Sequence, residues 1–186
     1  MINTKKNKTS INLTGGQAAV QSLRKEQVRH LFGLIGSATM EMFDALYHEK
    51  KIKFIGVRDE RTGVHMADGY ARASNKPGVI LAGQNGPGAT NLITGVAQAA
   101  AAFSPVISIA GAISSDHVGK NAFQEIDQQA LFESFTKKTW TINQTNRIHE
   151  ILDEAFHLAL TPRYGPVHVN LPRDILSATS SFSFIN

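Results

Sequence analysis

The chain has 186 residues, of which 42% are hydrophobic and 18% are charged, and its net charge is +4. This composition is typical of one globular domain that buries roughly two-thirds of its unfolded surface. The absence of cysteine excludes disulfides and thiolate metal sites, and with no secretory pattern it favours a cytoplasmic protein. The longest apolar region, residues 97–113, is interrupted by Gln98, Ser104, Pro105 and Ser108, which excludes a membrane span.

The first twelve residues are polar and contain three lysines, Lys5, Lys6 and Lys8. They show no apolar period, so we predict a flexible basic tail over residues 1–12. The alternative is a nucleic-acid-binding arm. Aromatic residues for base stacking do not interleave with these lysines, so we expect no nucleic-acid partner.

Helices and strands are predicted to alternate along the rest of the chain. In chain order, helices are expected over residues 16–27, 39–48, 60–74, 89–102, 128–135 and 148–160, and strands over 30–35, 53–57, 79–83, 105–112, 138–142 and 167–171. Because the strands are nearly continuous apolar runs, both of their faces should be buried. The pattern predicts an α/β three-layer sandwich with a six-stranded parallel sheet. The domain should span residues 13–176, with a Ser/Thr-rich linker beginning at 177–186.

Four segments follow directly after predicted strands: "IGSA" at 35–38, "RDE" at 58–60, "GQNGPGATN" at 83–91 and "AGAISSDHVGKNAFQE" at 110–125. In an open parallel sheet, ligands bind beyond the carboxyl ends of the strands. These four segments should therefore line a single crevice made of small residues and a few polar groups.

The segment "GQNGPGATN" combines close-approach glycines, Gly86 and Gly88, with the start of a helix, which attracts anions. It matches neither GxGxxG nor GxxxxGK[ST]. Pro87 also removes one amide donor that a phosphate cradle would use. We therefore expect contact with a flat, mostly neutral ligand rather than with a pyrophosphate. The alternative is a tight strand-to-helix turn without a ligand.

Glu60 is a carboxylate at a strand end, in a crevice otherwise lined by Gly, Ala and Ser. Desolvation there would favour its neutral form, so Glu60 could hold or share a proton near neutral pH. The alternative is an exposed acid at a helix start, where the helix dipole stabilises negative charge.

Three stretches together resemble one known family: "VRDERTGVHMADGYARASNKPGV", "NGPGATNLITGVAQA" and "NAFQEIDQQALF". They are similar to the N-terminal pyrimidine-binding domain, the Pyr domain, of thiamine-diphosphate enzymes. The likeness is greatest to acetolactate synthase and sulfoacetaldehyde acetyltransferase, and it extends over about residues 13–176, ending in "GPVHVNLPRDIL". The resemblance implies the thiamine-diphosphate-binding fold and an enzyme of the transferase or lyase type.

The resemblance also implies roles for individual residues. In that family the glutamate at the position of Glu60 hydrogen-bonds the cofactor's aminopyrimidine, which then removes a proton from the thiazolium carbon; Glu60 would be catalytic. The other implied contacts are Ile35, Gly36, Ser37 and Ala38 in one loop against the pyrimidine, Gly86, Pro87, Gly88 and Asn91 in a second, and Phe123 and Gln124 in the substrate channel.

Two departures from the acetolactate synthase pattern leave the substrate open. That branch has Pro-Gly-Gly where this chain has Ile35-Gly36-Ser37, and His where this chain has Asp59. The motifs "QNGPG" and "FQEIDQQALF" are closer to the sulfoacetaldehyde branch. The substrate would be a 2-oxo acid or sulfoacetaldehyde. Asp59 would add negative charge beside Glu60 unless Arg58 or Arg61 offsets it.

The family binds the cofactor's diphosphate through Mg²⁺ at a GDG motif in a second domain, the PP domain, and this chain has no GDG. "ADGYAR" does not replace it, since Asp68 falls in the middle of a predicted helix. We expect no metal site here, a PP domain of the same or another chain as partner, and a homodimer or tetramer. The chain alone should be an inactive half. The alternatives are a non-catalytic, flavodoxin-like nucleotide-binding module or a regulatory copy of the Pyr domain.

Overall fold

The structure, a computed structural model, describes residues 9–184. A six-stranded sheet forms its centre, with the order β3-β2-β4-β5-β7-β6 and every neighbouring pair parallel. This confirms the predicted α/β sandwich. The strands are β1 (Thr9–Thr14), β2 (His30–Leu34), β3 (Lys53–Gly56), β4 (Gly78–Ala82), β5 (Val106–Ala112), β6 (Thr139–Thr141), β7 (Val167–Pro172) and β8 (Thr179–Phe184). The helices are α1 (Gly15–Lys25), α2 (Met40–His48), α3 (Glu60–Ser74), α4 (Pro87–Ala101), α5 (Gln128–Glu133), α6 (Ile148–Leu160) and α7 (Arg173–Ser177).

Apolar side chains on both faces of the sheet account for the three layers. On one face Leu81 and Ile109 pack with residues of α1, α2 and α6. On the other face Ile80 packs with residues of α3, α4 and α5, among them Leu92 and Phe132. Strand β4, which lies inside the sheet and is covered on both faces, is buried along its whole length. No helix within residues 9–184 has the length and apolar content needed to cross a bilayer.

The structure differs from the sequence prediction at both ends of the described region. Residues 9–12 were expected in a flexible tail and residues 179–184 in a linker. Instead, β1 and β8 pair antiparallel, with Ile11 opposite Phe182. Phe182 is buried against the core, so packing favours the ribbon that local sequence did not predict. Residues 1–8 of the predicted tail and 185–186 of the predicted linker lie outside the described residues, and Ser177 is the last residue of α7.

The chain reverses its direction of winding between β2 and β4. From β2 the chain passes through α2 to β3 at one edge, and it then returns through α3 to β4 on the other side of β2. In doubly wound sheets, the loops that leave such a pair of strands diverge and open a ligand crevice. The segments that follow β2, β3 and β4 therefore meet at the place where the fold itself favours a binding site.

Candidate functional site

The loop after β2 lies directly against the end of β4. The amide of Ala38 donates to the carbonyl oxygen of Gly83 at 2.9 Å. The amide of Gly83 donates to the carbonyl oxygen of Leu34 at 2.9 Å. A Cβ placed on Gly36 would lie 2.5 Å from the Gly83 oxygen. Glycine is therefore required at this close approach of two backbones. Ala38 is buried in this loop, whereas Ile35 is 67% exposed at its rim.

Glu60 is the first residue of α3 and only 5% exposed. Its Oε2 accepts a hydrogen bond from Asn91 Nδ2, on the first turns of α4, at 3.0 Å. Its Oε1 lies 3.3 Å from the point where a side chain on Gly88 would begin. The carboxyl group is therefore held at one oxygen by Asn91, while the other oxygen faces Gly88, which has no side chain. The sequence predicted these three residues as site residues, and the structure brings them together.

Asp59, next to Glu60, has a separate partner. It is the N-cap of α3 and accepts from the amide of Arg61 at 2.8 Å. The Arg61 guanidinium also donates to both Asp59 carboxylate oxygens, at 3.3 and 2.9 Å. These bonds from Arg61 lower the pKa of the Asp59 carboxyl. Asp59 is thus an ionised helix cap whose charge is offset by Arg61, as one of the two sequence-based alternatives anticipated.

Gln84 connects two of the predicted loops. Its Oε1 accepts from the amide and the hydroxyl of Ser37, at 3.0 and 3.1 Å. Its Nε2 donates to Gln124 Oε1 at 2.7 Å. A side-chain amide can donate and accept at once, so Gln84 fixes the predicted pyrimidine loop and the predicted channel loop to one another.

The side chain of Asn85 binds the backbone of the same channel loop. Its Nδ2 donates to the carbonyl oxygens of Phe123 and Gln124, at 3.2 and 3.0 Å. Gln124 has a left-handed backbone, with φ of 60°, and Phe123 projects into solvent with 81% of its surface exposed. The loop is therefore anchored at its backbone and presents an aromatic ring at the rim of the crevice.

A cavity of about 500 Å³ lies beside this channel loop. Its lining is mostly apolar and includes Ile113, Val118, Ile126 and Ile142. The residues that follow Gln124, from 125 to 129, form one wall. Phe123 and Gln124 thus directly precede the wall of a cavity that suits apolar groups.

Sequence reasoning missed three residues that organise this site: Gln84, Asn85 and Gln128. Gln128 is 6% exposed, and its Oε1 accepts from the amide of Gly86 at 3.1 Å. Gly86 itself has φ of +53°, a conformation that favours glycine. The available signal was the amide side chains in "GQNGPG" and at the start of α5, but their partners are 38 or more positions away and are set only by the fold.

Asp68 does not face this site. It is 5% exposed in the middle of α3, where Arg72 donates to its two carboxylate oxygens at 2.9 and 2.6 Å. This confirms the position predicted for Asp68, in the middle of a helix. Among residues 9–184, no group of three or more His, Asp or Glu side chains is arranged to hold a metal ion.

The fold and the site define an α/β domain with a buried carboxyl group at the switch point of a parallel sheet. The family described as "Thiamine pyrophosphate enzyme, N-terminal TPP binding domain" matches residues 13–131, more than half of the chain. The protein therefore belongs to the thiamine pyrophosphate enzyme family, and the matched part is the N-terminal cofactor-binding domain of that family. The resemblance drawn from the sequence motifs is confirmed.

Similar proteins of known name are acetolactate synthase large subunits. The chain is 44% identical to the "Probable acetolactate synthase large subunit" of Methanococcus aeolicus over 163 residues, covering 88% of this chain and 27% of that protein. It is 39% identical to the "Acetolactate synthase isozyme 3 large subunit" of Escherichia coli strain K12 over 173 residues, covering 93% and 30%. The chain thus spans between 27% and 30% of the length of these two relatives.

Proposed function

We propose that this chain is the pyrimidine-binding half of a thiamine-diphosphate-dependent enzyme, with Glu60 as the residue that activates the cofactor. One observation carries the proposal: a 5%-exposed carboxyl group is anchored at Oε2 by Asn91, while its Oε1 faces Gly88, a residue without a side chain. A carboxyl group that is held at one oxygen can exchange a proton with a ring nitrogen through the other oxygen. Thiamine diphosphate carries such a nitrogen on its aminopyrimidine.

The residues around Glu60 fit a flat heterocycle. Gly88 has no side chain to occupy the space beside Oε1, and Gly36 lets the loop after β2 lie close to β4. Asn91 holds the carboxyl group in one orientation, which a proton transfer along a hydrogen bond requires. Glu60 would hold or share a proton with the ring nitrogen, and the surrounding small residues would exclude water from that bond. When bound, thiamine diphosphate supplies an electron sink for the bond next to a carbonyl group.

The substrate of the whole enzyme is a 2-oxo acid or sulfoacetaldehyde in this proposal. The named relatives, acetolactate synthase large subunits, favour the 2-oxo acid. The motifs "QNGPG" and "FQEIDQQALF" favour sulfoacetaldehyde, while Ile35-Gly36-Ser37 and Asp59 depart from the acetolactate synthase pattern. A PP domain of the same or another chain would bind the diphosphate through Mg²⁺, in a homodimer or tetramer, and the chain alone would lack turnover.

A binding experiment with the chain itself tests the role of Glu60. The chain is titrated with 4-amino-5-hydroxymethyl-2-methylpyrimidine, a fragment that carries the cofactor's ring, and backbone amide shifts are followed by NMR. We expect shifts at residues 36–38 and 86–91, and a loss of affinity of at least about tenfold in Glu60→Gln, since one charge-assisted hydrogen bond contributes about 1.5–3 kcal/mol. Glu133→Gln serves as the control, because Glu133 is exposed at the end of α5.

Three outcomes would contradict parts of the proposal. Equal affinity in the wild type and Glu60→Gln would remove the carboxyl group from the site. Shifts caused by a mononucleotide, but not by the pyrimidine, would favour the flavodoxin-like alternative. Tight, Mg²⁺-dependent binding of the complete cofactor to the 186 residues would contradict the need for a second domain. Assays of the assembled enzyme on pyruvate and on sulfoacetaldehyde with phosphate then decide between the two substrates.

A further inference from the structure

A buried chain of polar side chains connects the centre of the sheet with the turn that precedes α4. Gln128 begins α5, and both ends of its side-chain amide have partners. Oε1 accepts from the Gly86 amide at 3.1 Å, while Nε2 donates to the Gly111 carbonyl oxygen at 3.1 Å and to Asn170 Oδ1 at 2.6 Å. Because a backbone amide only donates and a carbonyl only accepts, these partners fix the orientation of the Gln128 amide.

The hydrogen-bond network continues into the sheet through side chains of β7 and β5. Asn170 Oδ1 also accepts from His168 Nε2 at 2.9 Å, and His168 Nδ1 pairs with Ser108 Oγ at 3.0 Å. Since Asn170 Oδ1 can only accept, the proton of the neutral imidazole is on Nε2, and Ser108 donates to Nδ1. His168 and Ser108 are wholly buried, so Gln128 is anchored to the rigid centre of the fold.

At its other end, this network of polar side chains contacts the turn where α4 begins. Gly86 is the N-cap of α4 and has no side chain to cap the helix, while Pro87 has no amide hydrogen. The Gly86 amide is held by Gln128, and the Asn85 side chain is held by the carbonyl oxygens of Phe123 and Gln124. These contacts fix the first turn of α4, and Asn91 on that helix donates to Glu60.

We propose that Gln128 is a positioning residue: it holds the Gly86 turn so that Asn91 keeps the Glu60 carboxyl group oriented toward the crevice. This inference rests on the proposed function for its purpose but not for its geometry. Gln128 acts on Glu60 through the Gly86 amide and the first turns of α4. Without its oxygen the buried Gly86 amide would lose its partner, and the turn would shift to recover one.

The test measures two NMR signals of the complete 186-residue chain without any cofactor: hydrogen exchange of the Gly86 amide, and the side-chain amide resonances of Asn91. In Gln128→Met, which removes the acceptor at similar volume, we expect Gly86 exchange to become at least about tenfold faster. The Asn91 resonances should move toward their positions in Glu60→Gln. Gln128→Glu retains an acceptor for Gly86 but loses the donor to Gly111 and Asn170, so Gly86 should exchange more slowly than in Gln128→Met even though the unfolding temperature falls.

Ser108→Ala is the matched control. It removes the far end of the same network but leaves the bond between Gln128 and Gly86. It should lower the unfolding temperature without moving the Gly86 or Asn91 signals. An equal shift of Asn91 in Ser108→Ala would overturn the proposal, because it would indicate a general loosening of the fold.

The Gly86 and Asn91 signals must change together in any Gln128 variant that folds. If one variant does not fold, another substitution of Gln128 provides the same test. Fast exchange at Gly86 with unchanged Asn91 resonances would also overturn the proposal. The proposed function fails separately, if Glu60→Gln leaves the affinity for the pyrimidine fragment unchanged. In that case the positioning of Asn91 by Gln128 could still be observed.

Discussion

We predict that the buried His168 makes the protein less stable in acid. The side chain is wholly buried in β7, and its ring is stacked on Phe132 with a centroid separation of 3.4 Å. Burial lowers the pKa of the imidazole from 6.5 to about 3, and the bond to Asn170 offsets little of that shift. The folded protein therefore holds His168 neutral at a pH where the unfolded chain binds a proton.

Proton linkage gives the sign and size of the change in the free energy of unfolding with pH. Between pH 6.5 and about 3 the unfolded state binds more protons at this position, so the free energy of unfolding falls as the pH falls. Integration between the two pKa values gives a loss of about 2 kcal/mol at pH 5 and about 3 kcal/mol at pH 4, relative to neutral pH. A loss of that size is a large fraction of the stability of an ordinary domain.

Urea unfolding at pH 7, 5 and 4, followed by the fluorescence of buried Trp140, measures the effect. His168→Leu should be less stable at pH 7, because Asn170 and Ser108 lose a partner, but it should lack this part of the pH dependence. The exposed His65, changed to Gln, should retain the wild-type slope. If His168→Leu loses as much stability between pH 7 and 5 as the wild type, the neutral buried imidazole is refuted.

Two further predictions concern packing. Gly36→Ala should lower the free energy of unfolding by about 1–3 kcal/mol, because its Cβ would lie 2.5 Å from the Gly83 carbonyl oxygen. Gly69→Ala, with open space around it in α3, should instead be neutral or stabilising by up to about 1 kcal/mol, and equal urea midpoints for the two variants would contradict this reasoning. Phe182→Ala should cost about 3–5 kcal/mol, since the ring is buried against the core, and a cost below about 1 kcal/mol would mean that β8 does not pack as described.

The central sheet could be predicted because its strands are buried on both faces. Short, continuous apolar runs such as those of β4 and β5, separated by helical segments, are typical of parallel strands between two layers of helices. Helix α3 begins and ends at the predicted residues, Glu60 and Ser74. Its start is fixed locally by the Asp59 cap, and its end by Asn75 in the left-handed conformation before Pro77. Local chemistry of this kind is visible in one sequence.

The ribbon and the hydrogen-bonded loops could not be predicted in the same way. Strands β1 and β8 pair residues from opposite ends of the described region, from Thr14 with Thr179 to Thr9 with Phe184, and neither segment has a long apolar run. The bonds of Gln84 to Ser37 and Gln124 likewise join residues 47 and 40 positions apart. The position of Glu60 at a strand end could be read from the sequence, but the groups that hold the site together depend on the assembled fold.

Adjacent carboxylates at positions 59 and 60 have different surroundings, and the helix start is the reason. Negative charge is stabilised at the first turn of α3 by the unpaired backbone amides and the helix dipole. Asp59 takes the cap, binding the Arg61 amide and guanidinium, which keeps its pKa low. Glu60, one residue later, is turned into the protein toward Asn91 and Gly88. Because Arg61 offsets the charge of Asp59, Glu60 does not lie beside a second unbalanced carboxylate.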